Sequence, residues 1–267
     1  MLFFKRSIIT PLALISILFS GCSLLASAGL TSQGQPTKEV TGDLGEKTVE
    51  DRVDHSAWTS LLQKHVNAEG LVDYKGFLKD REALDAYLTK LSSLTPDDTW
   101  KVEELLAYYI NLYNAYTVDL ILDHYPLKSI KDIDGAWTKA LVPVGDKMLS
   151  LGAIENGVLR KMNEPRIHFA INCASISCPD LMPQAFTASN INEQLDQAAS
   201  MFINSNKNYL SNPKRIKLNK IFDWYKKDYL IKGIATLPEY VNQYASTKVN
   251  PDAKVSFTEY DWGLNEQ

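Results

Sequence analysis

The sequence predicts an α+β fold: one helix-rich domain with a small β-sheet. Apolar residues recur at helical spacing in most segments of the chain. Short runs of branched residues fall between those segments without the regular strand–helix alternation of a doubly wound fold. No period of about 20 to 50 residues repeats, which argues against a solenoid. Hydrophobic residues make up 45% and charged residues 22%, the balance of an ordinary globular chain. The formal charge is −4, from 28 basic and 32 acidic side chains. A nucleic-acid partner is not expected, because phosphate binding needs a basic face that this balance does not supply.

Residues 1–21 read as a signal peptide. Lys5 and Arg6 precede an apolar run from Ile8 to Phe19. That run, about 12 residues, is too short for a bilayer core that takes roughly 20. Phe19-Ser20-Gly21-Cys22 resembles the lipobox of bacterial lipoproteins, in which small residues precede a cysteine whose thiol accepts diacylglyceryl. Ser23 is not the Asp associated with inner-membrane retention. The expected location is therefore the cell envelope, as an outer-membrane lipoprotein facing the periplasm. Its membrane partner is the bilayer, reached through lipidated Cys22. Residues 22–53 mix Ser, Gly, Thr, Gln, Pro and charge without an apolar face, and read as the lipidated N-terminus and a flexible tether. Residues 54–267 are the expected globular domain.

In the body, Asp54 starts a helix through Val66, followed by an extended piece over residues 71–74. A helix follows over about Lys79 to Leu91. Pro96 and Asp97 start the longest helix, which ends near His124, before Pro126. Its apolar positions cover too wide an arc for a surface helix, which places it at the centre. A hairpin over 139–144 and 147–149 turns at Gly145-Asp146, and Ser150 caps a helix from Leu151 to Met162. Arg166 to Cys173 is the most strand-like run. Asn190 with Glu193 fits a capping box for a helix to about Asn204. A strand over 215–218, a helix over 221–229, a helix with Pro238 in its first turn and a strand over 254–258 complete the order.

Cys173 and Cys178 remain after Cys22 is assigned to lipid. In an oxidising compartment they suit a structural disulfide, worth about 2.2 kcal/mol in the chain-entropy treatment of so small a loop. The alternative makes Cys173 a nucleophile with His168 as its base and Glu155 as the group that orients the imidazole. In a regular strand, however, His168 and Cys173 point to opposite faces. A zinc reading could draw on His168, Cys173, Cys178 and either Glu155 or Asp180, but their spacing matches no strong motif. No metal and no cofactor are expected. Asn111 and Asn114 share one face of the central helix, where they either brace neighbouring backbone or line a ligand cleft with Arg160 and Asn172. Glu155 and Arg160, five apart, each reach outside their own helix. The aromatic run Ile221-Phe222-Asp223-Trp224-Tyr225 reads first as core, with Asp223 and Asp228 free to cap or ligate.

Several ordered segments carry a resemblance: Gly70-Leu71-Val72-Asp73-Tyr74, Tyr109-Ile110-Asn111-Leu112-Tyr113-Asn114-Ala115, Ile154-Glu155 with Leu159-Arg160, Arg166 through Ser175, Cys178-Pro179, Ile221 through Tyr225, and Tyr260 through Asn265. Over about Trp58 to Asn265 the chain resembles the DUF547 family, a domain of unknown function in exported bacterial proteins and in plant proteins. The resemblance implies no established reaction. It implies a histidine after Glu155, where this chain has Asn156. It also implies a cysteine at Cys173 more regularly than at Cys178, which favours a role for Cys173 independent of a disulfide. A distant likeness to papain or transglutaminase architecture is the widest fold expectation.

Two functions follow. The first is a cell-envelope binding or assembly module for an unidentified ligand or protein, with a polar cleft near Asn111, Asn114, Glu155, His168 and Cys173. The second is a thiol-dependent hydrolase or acyltransferase built on Cys173, His168 and Glu155.

Overall fold

The computed structural model describes residues 31–42, 44 and 49–267. The signal peptide expected over 1–21 and the lipidation residue Cys22 lie outside the described residues. The first helix among the described residues, α1 (Ser56–His65), begins where Asp54 Oδ1 accepts from Ser56 N at 2.9 Å. It buries Trp58, Leu61, Leu62 and His65. The extended piece expected over residues 71–74 is shorter than its β-branched composition implied. Val72 bridges Val66 and Glu266, but Asp73 Oδ1 accepts from Gly76 N at 2.8 Å and starts α2 (Tyr74–Lys79). Helix α3 (Arg81–Ser92) packs against α1 and along the longest helix, α4 (Val102–His124).

Helix α4 is the centre of the molecule. Eighteen of its 23 residues are buried, from Glu104 to Leu122 with little interruption. An apolar stripe seats a helix on a core, whereas burial on all sides makes the helix itself the core. The hairpin forms as β1 (Val142–Val144) and β2 (Lys147–Leu149), antiparallel with Val142 opposite Leu149. It turns at Gly145, whose φ of +58° suits the residue without a side chain.

The helix expected from Leu151 to Met162 is irregular. It is π-helical over Ala153–Val158 and 3-10 over Leu159–Met162. Such a widened turn changes which side chains share a face, and π-turns concentrate at functional sites.

The strand expected over Arg166 to Cys173 is instead a one-turn helix, α5 (Ile167–Ala170). Its four residues are all buried, so branched and aromatic composition reported burial here rather than pleat. Arg166 ties down the start of this turn, donating to both carboxylate oxygens of Glu164 at 2.8 and 2.7 Å and to Asp196 at 2.7 Å.

Helix α6 (Ile191–Ile203) forms where expected, but Asn190 makes no side-chain cap and gives its amide to Thr187. Strand β3 (Arg215–Leu218) leads into two single turns, α7 (Ile221–Trp224) and α8 (Lys226–Tyr229), separated at Tyr225. Helix α9 (Leu237–Tyr244) carries Pro238 in its first turn and a Thr236–Glu239 capping box. Strand β4 (Lys254–Phe257) pairs parallel with β3. The domain is thus a helix-rich α+β structure with two separate two-stranded sheets instead of one.

The segment read as tether is partly packed. Val40, Leu44, Val49 and Val53 are buried, and Gln35 Oε1 accepts from Tyr109 Oη at 2.8 Å. Thr31 O lies against Gly157, where an added Cβ would come within 2.2 Å. The folded body therefore extends N-terminal of residue 54. Isolated valines in a polar segment do not form a periodic face, which is why composition alone read this stretch as loose. Among the described residues no helix is long and apolar enough to cross a membrane.

Candidate functional site

Asn111 and Asn114 are buried, and both brace backbone. Asn111 donates to Phe186 O at 2.7 Å and accepts from Phe186 N at 3.0 Å. Asn114 donates to Ala170 O at 2.9 Å and accepts from Asn172 N at 2.8 Å. Asn172 in turn donates to Pro179 O and accepts from Ala174 N, at 2.7 and 2.8 Å. All three amides are spent on protein partners, so the ligand-lining expectation for Asn111, Asn114 and Asn172 is corrected to a structural one. Buried amides demand such partners, and two in one helix found them on two neighbouring loops.

That bracing fixes the loop after α5. Ala174 sits at φ +57°, a left-handed conformation for a residue with a Cβ, immediately after Cys173. Both cysteines are free thiols, Cys173 half-buried and Cys178 buried, where the sequence expected a disulfide. Cys173 N donates to Cys178 Sγ at 3.0 Å. Cys173 Sγ lies 3.0 Å from Ser175 Oγ and 3.3 Å from Tyr260 Oη. Hydrogen bonding from Cys178, then from Ser175 and Tyr260, lowers the Cys173 thiol pKa against the effect of burial. Burial, reinforced by Cys173, pushes Cys178 well up. The chain's C-terminal segment holds the loop from outside, with Ile176 N donating to Gly263 O at 2.8 Å.

Glu155 projects from the π-helical turn. Tyr225 Oη donates to its Oε1 at 2.5 Å and Tyr113 Oη to its Oε2 at 3.4 Å. Burial, with the charge of Glu155, raises the pKa of both phenols. The expected link from Glu155 to His168 or Arg160 does not form. Asp228 takes both: His168 Nε2 is 2.8 Å from its Oδ2, and Arg160 grips it through two bonds of 2.6 and 2.9 Å. Burial alone would raise the Asp228 carboxyl, but His168 and Arg160 outweigh it and hold it well below the carboxylate range. The imidazole lies flat on Tyr225 with ring centres 4.0 Å apart. Its Nδ1 is buried with no hydrogen-bond partner among the described residues. His168 therefore makes no hydrogen bond with Cys173. Arg160 also bonds Asn156 Oδ1 at 2.8 Å and is turned away from the thiol's recess.

Cys173, His168 and Glu155 nonetheless line one recess of about 330 Å³. Much of the remaining wall is aromatic, from Trp137, Trp224, Tyr225, Tyr260 and Trp262, with Tyr113 from α4; Ile171, Pro179 and Ile221 add aliphatic surface. Trp224, Tyr260 and Trp262 pack together with ring centres 4.6 to 5.7 Å apart, and Trp224 is 44% exposed, so the recess reaches the surface. Asn156 shares this lining with its neighbour Glu155 in the π-turn. Sequence reasoning missed Tyr113 as a site residue, offered Asp228 only as a cap or ligand without its partners, and treated the aromatics as core. Among the described residues no group of three or more His, Cys, Asp or Glu side chains is placed to hold a metal.

Fold and site together define a helix-rich α+β domain with a thiol-bearing, aromatic-walled recess. Residues 98–203 match the family model described as "Protein of unknown function, DUF547". That match takes in α4, the π-turn, α5, both cysteines and α6. Tyr225, Asp228, Tyr260 and Trp262 lie beyond it. No curated protein and no solved structure was found to match the chain.

Proposed function

We propose that this protein is a ligand-binding module of the cell envelope, held at the membrane by lipid on Cys22 and presenting the aromatic-walled recess to the periplasm. The observation that carries this reading is the recess itself. Its 330 Å³ falls in the range of small-molecule sites, and it combines largely apolar walls with a few placed polar groups. Trp137, Trp224 and Trp262 report on its occupancy. Titrating the lipidated protein with separate sets of envelope-type solutes (amines, sugars, short peptides, fatty acids) should give a saturable change in tryptophan fluorescence with one class. Trp262→Ala should weaken it. A flat response to every class overturns the reading. Cys22→Ser should abolish lipid attachment and release the protein from membranes; unchanged retention removes the anchor.

A second reading rests on the half-exposed Cys173 thiol, whose hydrogen bonds lower its pKa in the manner of a nucleophile. It is a thiol-dependent hydrolase or acyltransferase, with Cys173 as nucleophile and Glu155 and His168 in the same recess. Such a base would have to reach the sulfur by a change of rotamer, since His168 is engaged with Asp228. The wider likeness to papain or transglutaminase belongs to this reading, although the thiol here follows a short helix and is not carried by the central one. An acyl-type activity probe should label wild type and not Cys173→Ala. Equal labelling of both ends the proposal.

A further inference from the structure

The electrostatics of the recess are one-sided. Among the described residues its lining contains one carboxylate, Glu155, one imidazole, His168, which is paired with Asp228, and neither lysine nor arginine. Glu155 is only 6% exposed and makes no salt bridge; the guanidinium of Arg160, close enough to interact with its charge, is bound to Asp228. Its partners are two neutral phenols, Tyr225 and Tyr113. A buried carboxylate without a directly bonded counter-charge is costly, and the cost falls when a cation enters. An anionic ligand would meet the opposite effect.

The walls narrow the kind of cation. Aromatic faces attract positive charge through their quadrupole, most strongly when water is excluded. Rings of this set already hold cations from outside the recess: Lys131 Nζ stands 5.3 Å from the centre of Trp262, and Arg160 Cζ stands 5.1 Å from that of Tyr225. A bare divalent ion needs about six oxygen ligands, which a single carboxylate among indoles cannot provide. A primary ammonium brings three donors that need acceptors, yet Glu155 already receives two phenol hydrogen bonds. The carboxylate lacks counter-charge more than it lacks donors. Methyl groups on nitrogen give a cation that needs no donors satisfied and presents apolar surface to the rings.

We infer that the recess takes an alkylated ammonium group, with Glu155 supplying the counter-charge and Trp137, Trp224, Tyr260 and Trp262 the aromatic wall. The inference rests on the ligand-binding reading and specifies its ligand. The same trimethylammonium head can come from a free solute or from a lipid headgroup, and the recess chemistry is common to both.

Calorimetric titration of the full-length protein with choline, and with its uncharged isostere 3,3-dimethyl-1-butanol, tests the charge requirement. Choline should bind at least tenfold tighter than the isostere. Glu155→Gln, which keeps one phenol hydrogen bond at its amide oxygen and reverses the other at its amide nitrogen, should remove that preference while leaving isostere binding within about twofold. Trp224→Ala, at an exposed position that tolerates truncation, should weaken both ligands. Soluble dihexanoylphosphatidylcholine below its micelle concentration separates the sources: tighter binding than choline assigns the lipid head, and weaker binding assigns the free solute. Equal affinity for choline and isostere overturns the cation while leaving the recess a ligand site. A preference that survives in Glu155→Gln overturns the role of the carboxylate. If neither choline nor the short-chain lipid binds, the inference fails, and the fluorescence titration above decides separately whether the recess binds anything.

Discussion

Tyr260 places its hydroxyl 3.3 Å from Cys173 Sγ, so a residue close to the C-terminus conditions a thiol that lies 87 positions earlier. The contact depends on the pairing of Ile176 and Ser177 with Gly263 and Asp261, which lays the end of the chain across the cysteine loop. Tyr260→Phe removes one of the hydrogen bonds that lower the Cys173 pKa. The thiol pKa should rise, because a hydrogen bond to the thiolate favours the charged form. The pH dependence of iodoacetamide alkylation measures it, with Cys173→Ala as the blank. An unchanged profile would show that Tyr260 does not tune the thiol.

Asn111 carries two bonds to one peptide unit, through Phe186 N and O. Asn111→Ala leaves both backbone groups unsatisfied in the core. The expected loss is about 2 to 4 kcal/mol of unfolding free energy, read from urea melts. Recess binding should survive wherever the variant folds, because Asn111 does not line the recess. A variant as stable as wild type would mean that the amide braces nothing.

His55 is buried against Tyr87, with its Nδ1 2.7 Å from the phenol oxygen. Burial, then the charge of Lys90, brings its pKa down from 6.5 to about 4. Between those two values the unfolded chain binds the proton and the folded chain does not, so stability falls as pH falls through that window. The loss should reach about 2 kcal/mol near pH 5 and be absent above pH 7. Urea melts of wild type and His55→Gln at both pH values check it: the variant should lose that much less on acidification. Parallel losses would assign the acid sensitivity to other groups.

Gly157 lies under Thr31, whose carbonyl occupies the space a Cβ would need. Gly157→Ala should lift the packed N-terminal segment without unfolding the domain. Limited proteolysis should then cut the chain around residues 31–42 several-fold faster, with the urea midpoint of the body nearly unchanged. Equal cutting rates would mean that this segment is held by its valines alone.

The sequence made parts of this architecture legible. The buried character of α4 followed from apolar positions on every side, and β3 and the hairpin followed from branched residues bounded by turn signals. Arg166 to Cys173 misled because β-branched and aromatic residues mark burial as readily as they mark a strand, and only the absence of a pairing partner tells them apart. That error also produced the expectation that His168 and Cys173 face opposite ways, a parity rule that a helical turn does not obey. The packed segment before residue 54 escaped because its anchors are isolated valines, one leucine and one glutamine, with no period to read.

What the sequence determined by itself was the α+β class, the central helix, and the residues able to do chemistry: Glu155, His168, Cys173 and Cys178. Local spacing and composition suffice for that, because helical burial and side-chain chemistry are properties of short stretches. Only the tertiary structure decided who partners whom. Asp228 holds His168 and Arg160, two phenols hold Glu155, and rings from distant segments wall the recess. Those pairings join residues about 40 to 90 positions apart, where hydrogen-bond geometry and desolvation select among partners that one-dimensional spacing leaves equivalent.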